Sequence, residues 1–147
     1  MRARSGYTVA ELIIVMSLIG LAMTLVLPSI GRTVAQVRLQ RAATLVASNV
    51  QLAQSLASRQ RRPVRLSVDT RQKVMRVRDY TNPATVYAEQ RFDETSENAV
   101  SRLEVTDTSV VIYPSGLYAQ QISFTLTTAN KRRAVHVSRA GQIRIDQ

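Results

Sequence analysis

Residues 7–27 read Tyr7-Thr8-Val9-Ala10-Glu11-Leu12-Ile13-Ile14-Val15-Met16-Ser17-Leu18-Ile19-Gly20-Leu21-Ala22-Met23-Thr24-Leu25-Val26-Leu27, and Glu11 is the single charge among these 21 residues. At the helical rise the stretch extends roughly 31 Å, about the thickness of a bilayer's hydrocarbon core. Six residues precede it, Arg2 and Arg4 among them. The run is too long for the apolar region of a secretory signal peptide. Nor is Pro28-Ser29-Ile30-Gly31-Arg32 the small-residue cleavage site such a peptide needs. The sequence therefore predicts a retained membrane helix over residues 7–28.

Glu11 is the residue in this run that needs an explanation. A carboxylate in the apolar part of a membrane helix costs several kcal/mol unless it is paired or close to the interface. Only about 6 Å separates it from the start of the run, so the headgroup region is within reach. The alternative to that interfacial position is a positive partner met when chains pack side by side. Around it, Ser5-Gly6-Tyr7-Thr8-Val9-Ala10-Glu11-Leu12-Ile13-Ile14-Val15 resembles the N-terminal signal of type IV pilins and type II secretion pseudopilins. The resemblance implies cleavage after Gly6 by a prepilin peptidase and methylation of the new N-terminus at Tyr7. It also implies pairing of Glu11 with the N-terminal amine of a neighbouring subunit during assembly. Tyrosine stands where phenylalanine is usual, and the leader, residues 1–6, is short.

Beyond Pro28 the helical period resumes to about Ser58. Val34, Val37, Ala42, Leu45, Val46, Leu52, Ala53 and Leu56 recur at spacings of three, four and seven, with Arg32, Arg38, Gln40, Arg41, Asn49, Gln51 and Gln54 between them. Residues 29–62 are thus expected to form an amphipathic helix. Pro28 and Gly31 are expected to kink its junction with the membrane half. A continuous helix from Tyr7 to Ser58 would run roughly 78 Å, more than a globule of this size can hold, so part of it is expected to protrude. Arg59-Gln60-Arg61-Arg62 suits the negative end of a helix dipole.

From Pro63 the period changes to two. Strands are predicted at 64–68, 73–78, 86–92, 102–106, 109–113, 122–128, 133–138 and 142–145. Turn chemistry falls at Asp69–Gln72, Asn82-Pro83, Pro114-Ser115-Gly116, Ala129-Asn130-Lys131 and Ala140-Gly141, and the acidic stretch Asp93–Ala99 is read as a loop. Residues 63–147 are expected to form a mainly antiparallel β-domain resting on the helix. The overall class is α+β.

This half is similar to the minor pilin and pseudopilin group typified by GspH and FimT, through Val110-Val111-Ile112-Tyr113-Pro114-Ser115-Gly116 and Val135-His136-Val137-Ser138-Arg139-Ala140-Gly141-Gln142-Ile143-Arg144-Ile145. That group closes its β-domain with a Ser-x-x-Gly-Arg-x-Arg pattern, which some members use to grip DNA. Ser138, Gly141 and Arg144 match it, while Gln142 replaces the first arginine and Arg139 lies close by. The resemblance implies a structural subunit, at or near the tip of a pilus or secretion pseudopilus. Its implied partners are the prepilin peptidase, other pilin or pseudopilin subunits and the bacterial inner membrane, crossed once with the N-terminus cytoplasmic and the β-domain periplasmic. Arg2 and Arg4 agree with that orientation, whereas Arg32, Arg38 and Arg41 oppose it by simple counting.

The second functional reading is DNA binding through Lys131, Arg132, Arg133, Arg139 and Arg144. It draws on a formal net charge of +10, with 18 arginines among 20 basic residues. The plain alternative is a well-solvated basic surface. With no cysteine, disulfides and thiolate metal sites are excluded. His136, the only histidine, sits between Val135 and Val137 with no evident partner. No phosphate loop, zinc spacing or nucleophile elbow is present. The sequence points away from an enzyme and implies no cofactor or metal.

Overall fold

In this computed structural model the described residues are 8–129 and 131–146, without the side chains of residues 24–30 and 32. The chain divides into two compact units between Val34 and Ala35. One helix, α1 (Val9–Gln60), contributes to both. In the first unit its side chains from Val9 to Met23 are exposed on every side. Among the described residues no helix is long and apolar enough to cross a membrane. The expected span 7–28 runs past the described side chains at both ends. Pro28, half of the expected kink, is one of the residues whose side chains lie outside the described set. A Cβ at Gly31 would meet nothing within 4 Å.

The second unit contains eight strands: β1 (Val64–Asp69), β2 (Val74–Asp79), β3 (Val86–Arg91), β4 (Arg102–Val105), β5 (Ser109–Ile112), β6 (Ile122–Thr128), β7 (Lys131–Val137) and β8 (Ile143–Asp146). They form two four-stranded sheets, in the orders β3-β2-β1-β5 and β4-β6-β7-β8, with every pairing antiparallel. Alternation decides the faces. Val64, Leu66, Val68, Val77, Val110 and Ile112 of the first sheet point into a core shared with Ile122, Phe124, Leu126, Val135 and Val137 of the second.

The helix closes that core through Leu39, Ala42, Ala43, Val46, Val50, Ala53 and Ala57. Of the stripe expected from the sequence, Ala42, Val46 and Ala53 are fully buried, but the larger members fare differently. Val37 and Leu52 are 46% and 40% exposed, Val34 is exposed too, and Leu45 and Leu56 are only partly buried. Alanines allow the helix backbone to approach the strands closely, so the small-residue face wins over the one with larger side chains. The helix ends where Arg61 adopts a left-handed conformation (φ 52°), a position that glycine usually fills, and Pro63 blocks its continuation. Its last turn is tied to the first sheet at the Tyr87 hydroxyl, which lies 2.8 Å from both Gln60 Oε1 and Asp79 Oδ2.

Candidate assembly helix and nucleic-acid interface

The start of α1 is a capping box. Thr8 Oγ1 accepts a hydrogen bond from the Glu11 amide (3.3 Å). In return the Glu11 carboxylate accepts from the Thr8 amide (3.0 Å) and from its hydroxyl (3.1 Å). Glu11 is therefore engaged by its own chain. The role of Thr8 escaped the sequence reading, although Thr-x-x-Glu ahead of an apolar run is the signal for it. Gly6 and Tyr7 lie outside the described residues. After this cap, Val9, Leu12, Ile13, Ile14, Val15, Met16, Leu18, Ile19, Leu21 and Met23 are all exposed, from 45% at Ile19 to 78% at Val9. A helix apolar on every side is stable only when something apolar surrounds it.

The β7–β8 hairpin is held from two sides. Within the turn, the Gly141 amide donates to the Ser138 carbonyl and the Ser138 amide to the Gln142 carbonyl, both at 2.9 Å. From outside, Gln54 Nε2 of α1 donates to the Gly141 carbonyl at 2.8 Å, and the Tyr118 amide donates to the Arg139 carbonyl at 2.9 Å. Gly141 has φ +78°, and a Cβ there would come within 2.7 Å of Gln54 Nε2 and 2.8 Å of the Gly116 carbonyl. Glycine is required by conformation and by space. Tyr118 is nearly fully buried beside this contact, and burial pushes its phenol well above the usual range.

The five basic residues singled out from the sequence fall into two groups. Arg139 sits exposed in the hairpin turn and Arg144 exposed on β8, opposite His136. Lys131, Arg132 and Arg133 begin β7 at its other end, roughly 20 Å from Val137 at the strand rise. Arg132 and Arg133 point to opposite faces. Arg133 follows the inward line of Val135 and is half-buried, and Lys131 donates to Gln36 Oε1 (2.9 Å). The structure thus brings Arg139 and Arg144 to one end and leaves the other three apart from them.

His136 does have partners. Its Nδ1 is 2.7 Å from Ser123 Oγ and its Nε2 is 3.4 Å from Asp146 Oδ2. His136 and Asp146 line an open cleft of about 710 Å³ together with Ser138, Gln142 and Arg144. A serine hydrolase needs, beyond such a row, free amide donors for an oxyanion. Ser123 and His136 stand on β6 and β7, the two interior strands of the sheet, whose amides pair with neighbouring strands. Among the described residues no cluster of histidine and carboxylate side chains could hold a metal ion.

The profile of the family described as Type II transport protein GspH matches residues 42–141, which include the buried helix face from Ala42 on, all strands but β8, and the hairpin turn as far as Gly141. The chain belongs to the GspH family. Among solved structures, this GspH-family chain is similar to the type IV minor pilin FimU of Pseudomonas aeruginosa, with a TM-score of 0.63 and 18% identity over 76% of this chain and 90% of that one. It is similar also to EpsH, the minor pseudopilin of the type 2 secretion system of Vibrio cholerae. There the TM-score is 0.56 and the identity 10%, over 74% of this chain and 96% of that one. At these identities the likeness shows a shared pilin-like fold. No curated protein matches by sequence. The family assignment favours a structural subunit over an enzyme.

Proposed function

We propose that this chain is a minor pilin or pseudopilin, cut after Gly6 by a prepilin peptidase, methylated at Tyr7 and incorporated at or near the tip of a type IV pilus or secretion pseudopilus. Before assembly it crosses the inner membrane once through residues 7–28, with its β-domain on the periplasmic side. The observation that carries this reading is the exposed side-chain set from Val9 to Met23, apolar except for Glu11 and Ser17. It suits a hydrocarbon bilayer first and a bundle of like helices afterwards. Glu11 fits the same sequence of events. Its capping box meets part of the cost of a carboxylate in an apolar setting, and the amine of a neighbouring subunit would supply the missing positive charge.

The test is the sheared-filament fraction of cells that express the chain with its own assembly machinery. The wild-type chain is expected in that fraction, and Glu11→Ala is expected to remain with the membrane. Equal recovery of both proteins in filaments would remove the role given to Glu11, and absence of both would remove the filament reading.

A second reading, DNA binding by the filament, is favoured by the fixed and exposed position of Arg139 beside Arg144. Such binding would weaken steeply with salt, and Arg139→Gln with Arg144→Gln would lower the salt slope by about two. An unchanged slope would count against it.

A further inference from the structure

The outer face of the first sheet carries an arrangement that folding does not explain. Alternation along β1 and β2 buries Leu66, Val68 and Val77 and turns Arg65, Arg76 and Arg78 outward. Arg76 is paired in the ordinary way. Glu89 stands opposite it on β3, 2.8 Å from its Nε, and this contact holds the carboxyl below the usual range. Two residues along, Arg78 faces Arg65 directly across the β1–β2 ladder. Like charges in directly opposed positions oppose sheet formation.

The remaining neighbours in that row are Val111 of β5 and Val86 of β3. Val86 is there because of an irregularity in register. Val77 faces Ala88, yet Arg78 faces Val86, so Tyr87 drops out of the row and reaches Asp79 and Gln60 instead. A β-bulge of this kind re-aims side chains, and here it sets Val86, not Tyr87, opposite Arg78.

Neither arginine finds a counter-ion among the described residues. The Nε atoms of both are buried and have no hydrogen-bond acceptor. Arg65 is further fixed by Tyr80, whose ring centroid lies 5.1 Å from its guanidinium carbon. The nearby carboxylates are occupied. Asp79 accepts the Thr81 and Asn82 amides, and Glu89 serves Arg76 and Arg91. Buried donors without acceptors are rare in native proteins, and here they coincide with two like charges set against each other.

We propose that Arg65 and Arg78 form a receptor for a carboxylate from an acidic segment of another protein subunit. Two guanidinium groups set directly opposite one another, neither with a counter-ion among the described residues, suit the two oxygens of a carboxylate. The surroundings fit a protein more than a phosphodiester. Tyr80 and Val86 are 43% and 44% exposed beside the pair, and Tyr113 is exposed two residues beyond Val111. Tyrosine, arginine and aliphatic surface together are the composition of a protein interface core. Contacts to nucleic-acid backbone usually come from exposed cations, not from half-buried ones flanked by valine. With 20 basic residues against 10 acidic, the chain also has positive charge to be met by a partner.

The test uses the full chain in neutral detergent at low salt and a fluorescent peptide of alternating glutamate and serine, read by anisotropy. The double variant Arg65→Gln/Arg78→Gln is expected to bind the peptide about tenfold more weakly than wild type. Arg38→Gln/Arg41→Gln, which removes the same charge from exposed positions on α1, is expected to change binding less than about twofold. Equal weakening by both variants would show a response to net charge alone and overturn the site, as would a wild-type chain that does not bind. A short duplex DNA that binds better than the peptide, and loses binding in Arg65→Gln/Arg78→Gln, would reassign the pair to nucleic acid and overturn the proposal. The free protein gives an independent reading. Arg78→Leu removes one of two opposed charges and one unsatisfied donor, so it is expected to raise the melting temperature by about 3 °C. A lower melting temperature would mean that the pair supports the fold and is not held open for a partner.

Discussion

The two halves of α1 follow opposite rules. From Leu39 to Ala57 the helix buries one face made largely of alanine and valine, and polar residues such as Arg38, Gln40 and Arg41 hold much of the rest. From Val9 to Met23 large apolar side chains occupy every direction, and none is buried by its own chain. The first pattern is that of a helix folded against a sheet, and the second that of a helix whose solvent is apolar. What separates them is the distribution of apolar residues and not their amount. One half is built for this chain's fold, and the other for surroundings that the chain does not supply.

The comparison breaks most readily with one charge placed in each half. Val46→Asp puts a carboxylate at a fully buried position and is expected to cost about 4 kcal/mol or more. Ile14→Asp is expected to change the stability of the β-domain by less than about 0.5 kcal/mol. Chemical denaturation of the full chain in detergent, followed by the near-ultraviolet signal of its tyrosines, measures both. A smaller effect follows from the hairpin that the second half holds through Gln54. Gly141→Ala meets a left-handed backbone and two close neighbours, so a loss of about 2 kcal/mol is expected in the same experiment.

The first half has one internal bond network to test. Thr8→Ala removes the cap and is expected to weaken the first turn by about 1 kcal/mol, seen as faster amide exchange at Leu12, whose N–H donates to the Thr8 carbonyl. The smallest expected effect is at the other end of the helix. The Asn82 amide, and then the Tyr87 hydroxyl, hold the Asp79 carboxyl below its usual range. The unfolded chain, with an aspartate pKa of about 3.9, therefore binds the proton first as pH falls. This contribution to stability is present above that value and is lost as pH drops through the folded one. Melting temperatures measured down to acid pH should fall less steeply in Asp79→Asn than in wild type.

The sequence was most readable where one local rule acted alone. Val64, Leu66 and Val68 alternate with Arg65 and Ser67, and the predicted strands fall within a residue or two of the observed ones. The helix face was harder. α1 offers an alanine stripe and a stripe with Val37 and Leu52, and the choice between them depends on how closely two sheets approach, which no window of sequence contains. The same is true of the bulge at Val77 and Arg78, whose consequence is an arginine without a partner. Thr8 was readable from its spacing to Glu11. The separation of Arg139 and Arg144 from Lys131, Arg132 and Arg133 follows from β7 lying extended between them, so proximity in sequence overstated proximity in space.

The proposed function requires that residues 1–6 are removed and that the first half of α1 then serves outside this chain's own fold. Intact mass of the full chain, produced with and without a prepilin peptidase, tests it most directly. Loss of Met1 to Gly6 and the gain of one methyl group are expected only when the peptidase is present, with both changes abolished in Gly6→Ala. A chain that keeps its first six residues beside a control pilin that is cut would contradict it.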